Sequence, residues 1–152
     1  MPLEGLHHIT AITADAPGNV RFYAGLLGLR FVKKTVNFDE PSVYHLYYGD
    51  EVGAPGSILT FFEFPGAAPG RAGAGMVHAI QWRVATEDAL GFWADRLAAA
   101  QVPANRDGGV LLFRDPEGLA HELVVAHGAD TPLVAHAEDI PAEHALQGFH
   151  GV

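Results

Sequence analysis

Nine histidines are spread through a 152-residue chain that has 18 acidic residues, nine Lys and Arg, and no cysteine. Without thiols there can be no disulfide framework, thiolate metal site or cysteine nucleophile, so imidazole nitrogen and carboxylate oxygen are the only side-chain ligands left for a metal. The histidines stand at His7-His8, with Thr10 just beyond, at His45 and His78, at His121 beside Glu122, and at His127, His136, His144 and His150. Such groups can hold a divalent metal or move a proton near neutral pH. Other chemistries lack their signatures: there is no Gly-x-Ser-x-Gly elbow, phosphate loop or dinucleotide fingerprint between strand and helix. The glycine-rich run from Gly70 to Gly75 precedes a strand and reads as a flexible loop.

Those residues must be positioned by the elements around them. Leu6 to Thr13 alternates as a strand with Leu6, His8, Thr10 and Ile12 on one face, which turns His7 to the other. Asp15 and Pro17 form an N-cap and first-turn pair. Val20, Phe22, Tyr23, Leu26 and Leu27 follow at helical spacing until Gly28, predicting an amphipathic helix of about three turns. Three β-rich stretches come next, Leu29 to Phe38, Ser42 to Tyr48 and Ser57 to Phe64, broken by turn-forming residues. After the linker-like stretch 65–75 the order repeats: a strand from Met76 to Val84, a helix through Ala89, Leu90, Phe92, Trp93, Leu97 and Ala98, then strands at Gly109 to Phe113 and Leu119 to Ala126. A repeat of roughly 70 residues implies a duplicated half-domain rather than a solenoid.

The fold class expected is α+β, with two βαβββ modules, 1–66 and 75–126, forming one paired domain (1–126) around a curved mixed sheet. Residues 127–152 read as a linker or the start of a further module, and the histidines there (His127, His136, His144, His150) as solvated. At 49% hydrophobic content the chain can bury a core. A net charge of −9 argues against nucleic acid, which needs clustered Lys and Arg. No apolar run reaches the length of a membrane span, and the start of the chain lacks the features of a signal peptide, so no membrane partner and a cytoplasmic location are expected.

Three runs carry a resemblance: Gly5-Leu6-His7-His8-Ile9-Thr10, the stretch from Phe22 to Thr35, and Tyr44-His45-Leu46-Tyr47-Tyr48-Gly49-Asp50-Glu51-Val52-Gly53-Ala54-Pro55-Gly56-Ser57. They resemble the ring-cleaving hydroquinone dioxygenases of the vicinal oxygen chelate superfamily, which also holds glyoxalases and bleomycin-resistance proteins. Asp115-Pro116-Glu117-Gly118 before a Glu-bearing strand is similar to the ending of such a module. The resemblance implies a metal-dependent dioxygenase acting on a small hydroquinone- or catechol-like aromatic and dioxygen, with Fe(II), or else Mn(II), on two His and one carboxylate. Relatives of this kind carry four modules, so the resemblance implies either a fragment of a longer protein, one half of the enzyme, or a short form that completes its site by another route. Its last residues, Ala145 to Val152, look like the opening strand of a third module.

Carried over residue by residue, the resemblance makes His8 a metal ligand and places His7 and Thr10 at the substrate, binding its oxygens or relaying protons. The competing reading of His8 is a half-buried strand histidine satisfied by hydrogen bonds. Glu122 sits where the superfamily places a carboxylate ligand in the last strand of a module; an unpaired Glu in an apolar strand is costly. His78 is a weaker third candidate, because aligning Leu6-His7-His8-Ile9 with Val77-His78-Ala79-Ile80 sets Ala79 opposite His8, and only a bulge would bring His78 onto that face. In the first module the position matching Glu122 is Thr60 or Phe61. His121 should point away from Glu122, and His45 reads as structural or a pocket wall. Phe31, Phe38, Tyr44, Tyr47, Phe61, Phe62 and Phe64 could wall an aromatic site or fill the core.

Two other functions stay open. One is a glyoxalase-like lyase or isomerase, which needs a four-ligand set of His, Gln and Glu. The other is a metal-free module that binds an aromatic ligand. A homodimer is expected, because paired modules leave strand edges to cover.

Overall fold

The computed structural model describes residues 4–128 and 130–152. Its elements run β1 (His8–Thr13), α1 (Ala16–Val20), β2 (Arg30–Val36), β3 (Tyr44–Gly49), β4 (Ile58–Glu63), β5 (Ala79–Val84), α2 (Glu87–Ala99), β6 (Ala104–Asp107), β7 (Val110–Arg114), β8 (Ala120–Val125) and β9 (Phe149–Gly151). The expected repeat is present in three dimensions. In the first module the strand order is β1-β4-β3-β2, in the second β6-β7-β8-β5, and each holds one parallel pair, β1 with β4 and β5 with β8. β6 is the element missed by pattern reading: Ala-Asn-Arg-Asp is exposed throughout, so it has no apolar alternation to betray a strand.

The strands form two hydrogen-bonded sheets rather than the single curved sheet expected. β5's second edge is taken by β9, which pairs with it antiparallel and closes that edge to the first module. The tail is therefore packed. Ile140, Ala145, Leu146 and Phe149 lie in the core, and the Phe149 amide donates to the Gly56 carbonyl at 2.7 Å, tying the tail to the loop before β4. His144 is half-buried against Phe92, not solvated, whereas His127, His136 and His150 are exposed.

One apolar core serves both modules. Ile9, Leu46, Tyr48, Leu59 and Phe61 of the first sheet join Ile80, Trp82, Leu111, Phe113 and Leu123 of the second, with Trp93 and Leu97 of α2. Fully burying each large side chain contributes ~1.5–3 kcal/mol. The helix α2 begins as its sequence dictates, with the Thr86 hydroxyl accepting from the Ala89 amide and Glu87 and Asp88 in the first turn. Asp15 likewise caps α1 by accepting from the Gly18 amide. The three-turn helix expected after it is instead a short α-helix that widens into a π-helix over Arg21–Leu26, with the Leu27 amide donating to the Phe22 carbonyl at 2.9 Å.

That widened turn carries Tyr23, fully buried between the modules. Its hydroxyl donates to the Asp115 carboxylate at 2.7 Å and lies 2.9 Å from Nε2 of His121. The Trp82 indole N–H can only donate, so at 3.1 Å it makes Nδ1 of His121 an acceptor and leaves the proton on Nε2. Burial pushes the His121 pKa down to about 3 and holds the Tyr23 phenol well above its ordinary value.

Three outcomes follow from this packing. Gly28 ends the helical segment at φ +68°, and a Cβ there would meet Cδ1 of Ile140 at 2.4 Å, so Gly28→Ala should lower stability by about 1–3 kcal/mol in urea titration. Tyr23→Phe strips both Asp115 and His121 of a buried partner and should cost about 1–3 kcal/mol by the same measurement. For pH, His121 stays neutral in the folded chain while its unfolded form protonates near pH 6.5, so between about 6.5 and 3 the unfolded state binds more protons. Stability should fall on acidification from pH 6.5 to 5, by at most about 1.4 kcal/mol per pH unit. Asp115, raised chiefly by burial, acts in the opposite sense only from about pH 4 upward, where its unfolded form ionises first. His121→Phe should flatten the slope between pH 6.5 and 5.

Candidate active site

The strand pairing of the first sheet sets out its outward face in rows. His8 stands beside Ile58; Thr10, Thr60, Tyr47 and Lys33 form the next row; Ile12, Phe62, His45 and Thr35 form the third. Side chains alternate along a strand, so these rows share a face while Ile9, Leu59 and Leu46 turn into the core. Over this face lies a cavity of about 380 Å³, lined by His7, His8, Thr10, Thr60, Lys33, His45 and Tyr47 among polar residues and by Val32, Val52, Gly53 and Ile58. Its size suits a ligand of one aromatic ring.

Two departures from strict alternation shape it. His7 was expected on the opposite face from His8, yet both line the cavity, with their Nδ1 atoms 3.1 Å apart. His7 precedes the first paired residue of β1, so the ladder does not dictate its direction. A register shift between Phe31 and Lys33 does the same on β2, bringing consecutive Val32 and Lys33 to one cavity. The Thr10 and Thr60 hydroxyls bond across the parallel pair at 3.0 Å. Tyr47's hydroxyl lies 2.8 Å from Nδ1 of His45, whose pKa is lowered first by burial and then by the nearby Lys33 and His8.

The second sheet repeats this register with other residues. Gln81 pairs with Glu122 as Thr10 pairs with Thr60, and the Gln81 amide donates to the Glu122 carboxylate at 2.7 Å. Thr60, not Phe61, is thus the counterpart of Glu122, while Phe61 is core. Glu122 therefore sits on the other sheet and is absent from the cavity lining. His78 is exposed just before β5, beside a separate hollow formed by the loop Ala72 to Met76. Ala79 does open β5 where His8 opens β1. The fold brings His7, His8 and Thr10 together and leaves Glu122 and His78 elsewhere.

Lys33, Val52, Gly53 and Ile58 were not anticipated. The period-two pattern could have placed Lys33 opposite Tyr47, but a bulge is invisible to it, and Val52 and Gly53 come from a loop with no periodicity. Of the aromatic residues proposed as walls, Tyr47 lines the cavity, Phe61 is buried and Phe38 is 96% exposed.

A metal would find only imidazoles here. No carboxylate lines the cavity, and among the described residues no group of three or more His, Cys, Asp or Glu could hold an ion. The described residues do not by themselves make up a two-His, one-carboxylate set around this cavity.

The family model described as the Glyoxalase/Bleomycin resistance protein/Dioxygenase superfamily matches residues 5–123. The chain belongs to this superfamily. It is 50% identical over 158 residues to a Bacillus subtilis (strain 168) protein named "Putative ring-cleaving dioxygenase MhqE", covering 100% of this chain and 51% of that one. It is 35% identical over 156 residues to the chlorohydroquinone/hydroquinone 1,2-dioxygenase of Sphingobium indicum, covering 97% of this chain and 48% of that one. A crystal structure titled as a "putative dioxygenase" from Bacillus subtilis superposes with a TM-score of 0.89 at 42% identity, over 97% of this chain and 48% of that one. The chain thus spans about half the length of the curated relatives it matches. A domain of the same superfamily from Frankia, at 17% identity and a TM-score of 0.68, shares the fold.

Proposed function

We propose that this chain supplies the aromatic-binding half of a ring-cleaving dioxygenase for hydroquinone- or catechol-like substrates. What carries the reading is the cavity of about 380 Å³ in which His7, His8 and Thr10 converge. His8 is the residue we assign to the metal, Fe(II) with Mn(II) as the alternative, because three protein ligands around such an ion leave adjacent positions for substrate and dioxygen. The carboxylate and the remaining ligand then come from outside this cluster, through further chain or a second copy in a homodimer. Glu122 is engaged by Gln81 and His78 lies away from the cavity, so neither is assigned to the ion.

His7 and Thr10 are the substrate-contacting groups in this reading. The Thr10 hydroxyl, steadied by Thr60, can hold one substrate oxygen, and the His7 imidazole on the same wall can accept its proton. Ile58, Val52 and Val32 supply the apolar walls that exclude water from the ring. Among the described residues no helix is long and apolar enough to cross a membrane, and we infer a cytoplasmic protein.

The absence of a carboxylate from the cavity lining favours one second reading, a binding module that holds an aromatic ligand without metal. Oxygen uptake with hydroquinone after anaerobic Fe(II) loading separates the two. Under the dioxygenase reading His8→Ala should lose at least about 100-fold in uptake and its bound iron, with the circular dichroism spectrum unchanged, whereas Glu122→Gln should keep its iron. Full activity in His8→Ala would overturn the assignment. Aromatic binding with no iron in either protein, even when the chain that completes the ligand set is supplied, would select the binding module.

A further inference from the structure

The cavity has two polar walls. His7, His8 and Thr10 stand on the β1 side, and Lys33, His45 and Tyr47 on the β2–β3 side. The second wall is built. The His45 ring is stacked on Phe62 at a centroid distance of 3.9 Å and 28°, and lies 4.1 Å from the Tyr47 ring. Lys33 brings its ammonium to 4.5 Å from the centre of the Tyr47 ring.

Nε2 of His45 is buried without a hydrogen-bond partner among the described residues, although Nδ1 is engaged by Tyr47. Leaving a buried polar atom unsatisfied costs roughly 1–3 kcal/mol, and His45 lines the cavity, so a ligand that reaches its ring supplies the partner that the described residues do not. If Tyr47 donates to Nδ1, Nε2 carries a proton and seeks an acceptor; if Nδ1–H donates to Tyr47, Nε2 is a free acceptor. In the second case the Tyr47 hydroxyl also keeps its own proton to donate. Either tautomer lets this wall bind a phenolic oxygen, which both donates and accepts.

The two walls are set apart by the sheet itself. Thr10 and Tyr47 share a row two strands apart, about 10 Å between backbones at ~4.8 Å per strand, and their side chains rise into the same hollow. One six-membered ring fits between them with oxygens at opposite ends, whereas adjacent oxygens both fall at a single wall.

We propose that His45 and Tyr47, backed by Lys33, form the recognition wall for the far oxygen of a para-dioxygenated aromatic whose near oxygen lies at His7, His8 and Thr10. This deepens the aromatic-binding reading and rests on it. His45 and Tyr47 then determine specificity, selecting para over ortho diols and diols over monophenols.

The test is anaerobic calorimetric titration of the metal-free 152-residue chain with hydroquinone, catechol and phenol. The wild type should bind hydroquinone about tenfold more tightly than catechol or phenol, the worth of one good hydrogen bond to the second oxygen. Tyr47→Phe preserves the stack, and His45→Gln keeps a polar group; each should reduce hydroquinone affinity to near that of phenol while leaving phenol affinity unchanged. Thr10→Val, on the other wall, should weaken all three ligands alike. An unchanged hydroquinone-to-phenol ratio in correctly folded Tyr47→Phe and His45→Gln would overturn the proposal. So would equal binding of the three ligands by the wild type, with the aromatic-binding reading left standing. Failure of the wild type to bind any of them would sink that reading and this proposal together.

Discussion

The hydroxyl of Tyr23 is where the two modules meet chemically. It comes from the first module, and both of its partners, Asp115 and His121, come from the second. Asp115 also accepts from the Glu117 and Leu119 amides, so the turn that closes the second module is built around the same carboxylate. Glu117 of that turn reaches back to accept from the Thr13 hydroxyl at 2.5 Å and the Ala14 amide at 2.7 Å, holding the end of the strand that carries His8. A buried polar network of this kind stabilises only when every member is satisfied, and here it fixes how one module sits on the other. The π-helix that presents Tyr23 is part of the same constraint, since its wider turn sets the direction of the phenol.

Duplication explains both the likeness of the two sheets and the difference in what they do. Each has a side-chain hydrogen bond at the same place in its parallel pair, Thr10 with Thr60 in one and Gln81 with Glu122 in the other. In the first sheet the bond is small and leaves its surroundings open as a cavity. In the second a longer amide and a carboxylate satisfy one another, and β9 lies along the neighbouring edge, where a Cβ on Gly151 would come within 3.0 Å of the Gln81 side chain. One scaffold therefore carries a cavity on one face and, on the other, a half-buried amide and carboxylate that satisfy one another. Superfamily membership gives the fold, while the residues on each face decide its use.

Electrostatically the cavity is unlike the chain that encloses it. The protein carries a net charge of −9, yet the lining holds three imidazoles and one ammonium and no carboxylate. Burial and the neighbouring Lys33 and His8 favour the neutral form of His45, so its ring can donate or accept without bringing in a further charge. A hollow of this composition suits a ligand that is aromatic and rich in electron-bearing oxygen, neutral or ionised.

Much of this protein was determined by local pattern. The alternation of β1, the capping of both helices and the repeat of strand, helix and strands all follow from side-chain period and backbone preference, which act within a few residues. The same alternation put His8 and Thr10 on one face, and His121 away from Glu122. What local pattern could not decide was everything set by a partner distant in the chain. The fully exposed β6 forms because β7 is there to pair with it, and β9 occupies the edge of β5 where a single sheet would have continued. His7 joins the cavity from just before the first paired residue of β1, and Lys33 because a bulge shifts its strand by one residue. Glu122 has the residue type of a metal ligand, and tertiary structure sets it beside Gln81 on the second sheet, away from the cavity lining. Residue type and spacing state what chemistry is available; which groups meet is fixed by strand pairing and packing between segments far apart in sequence.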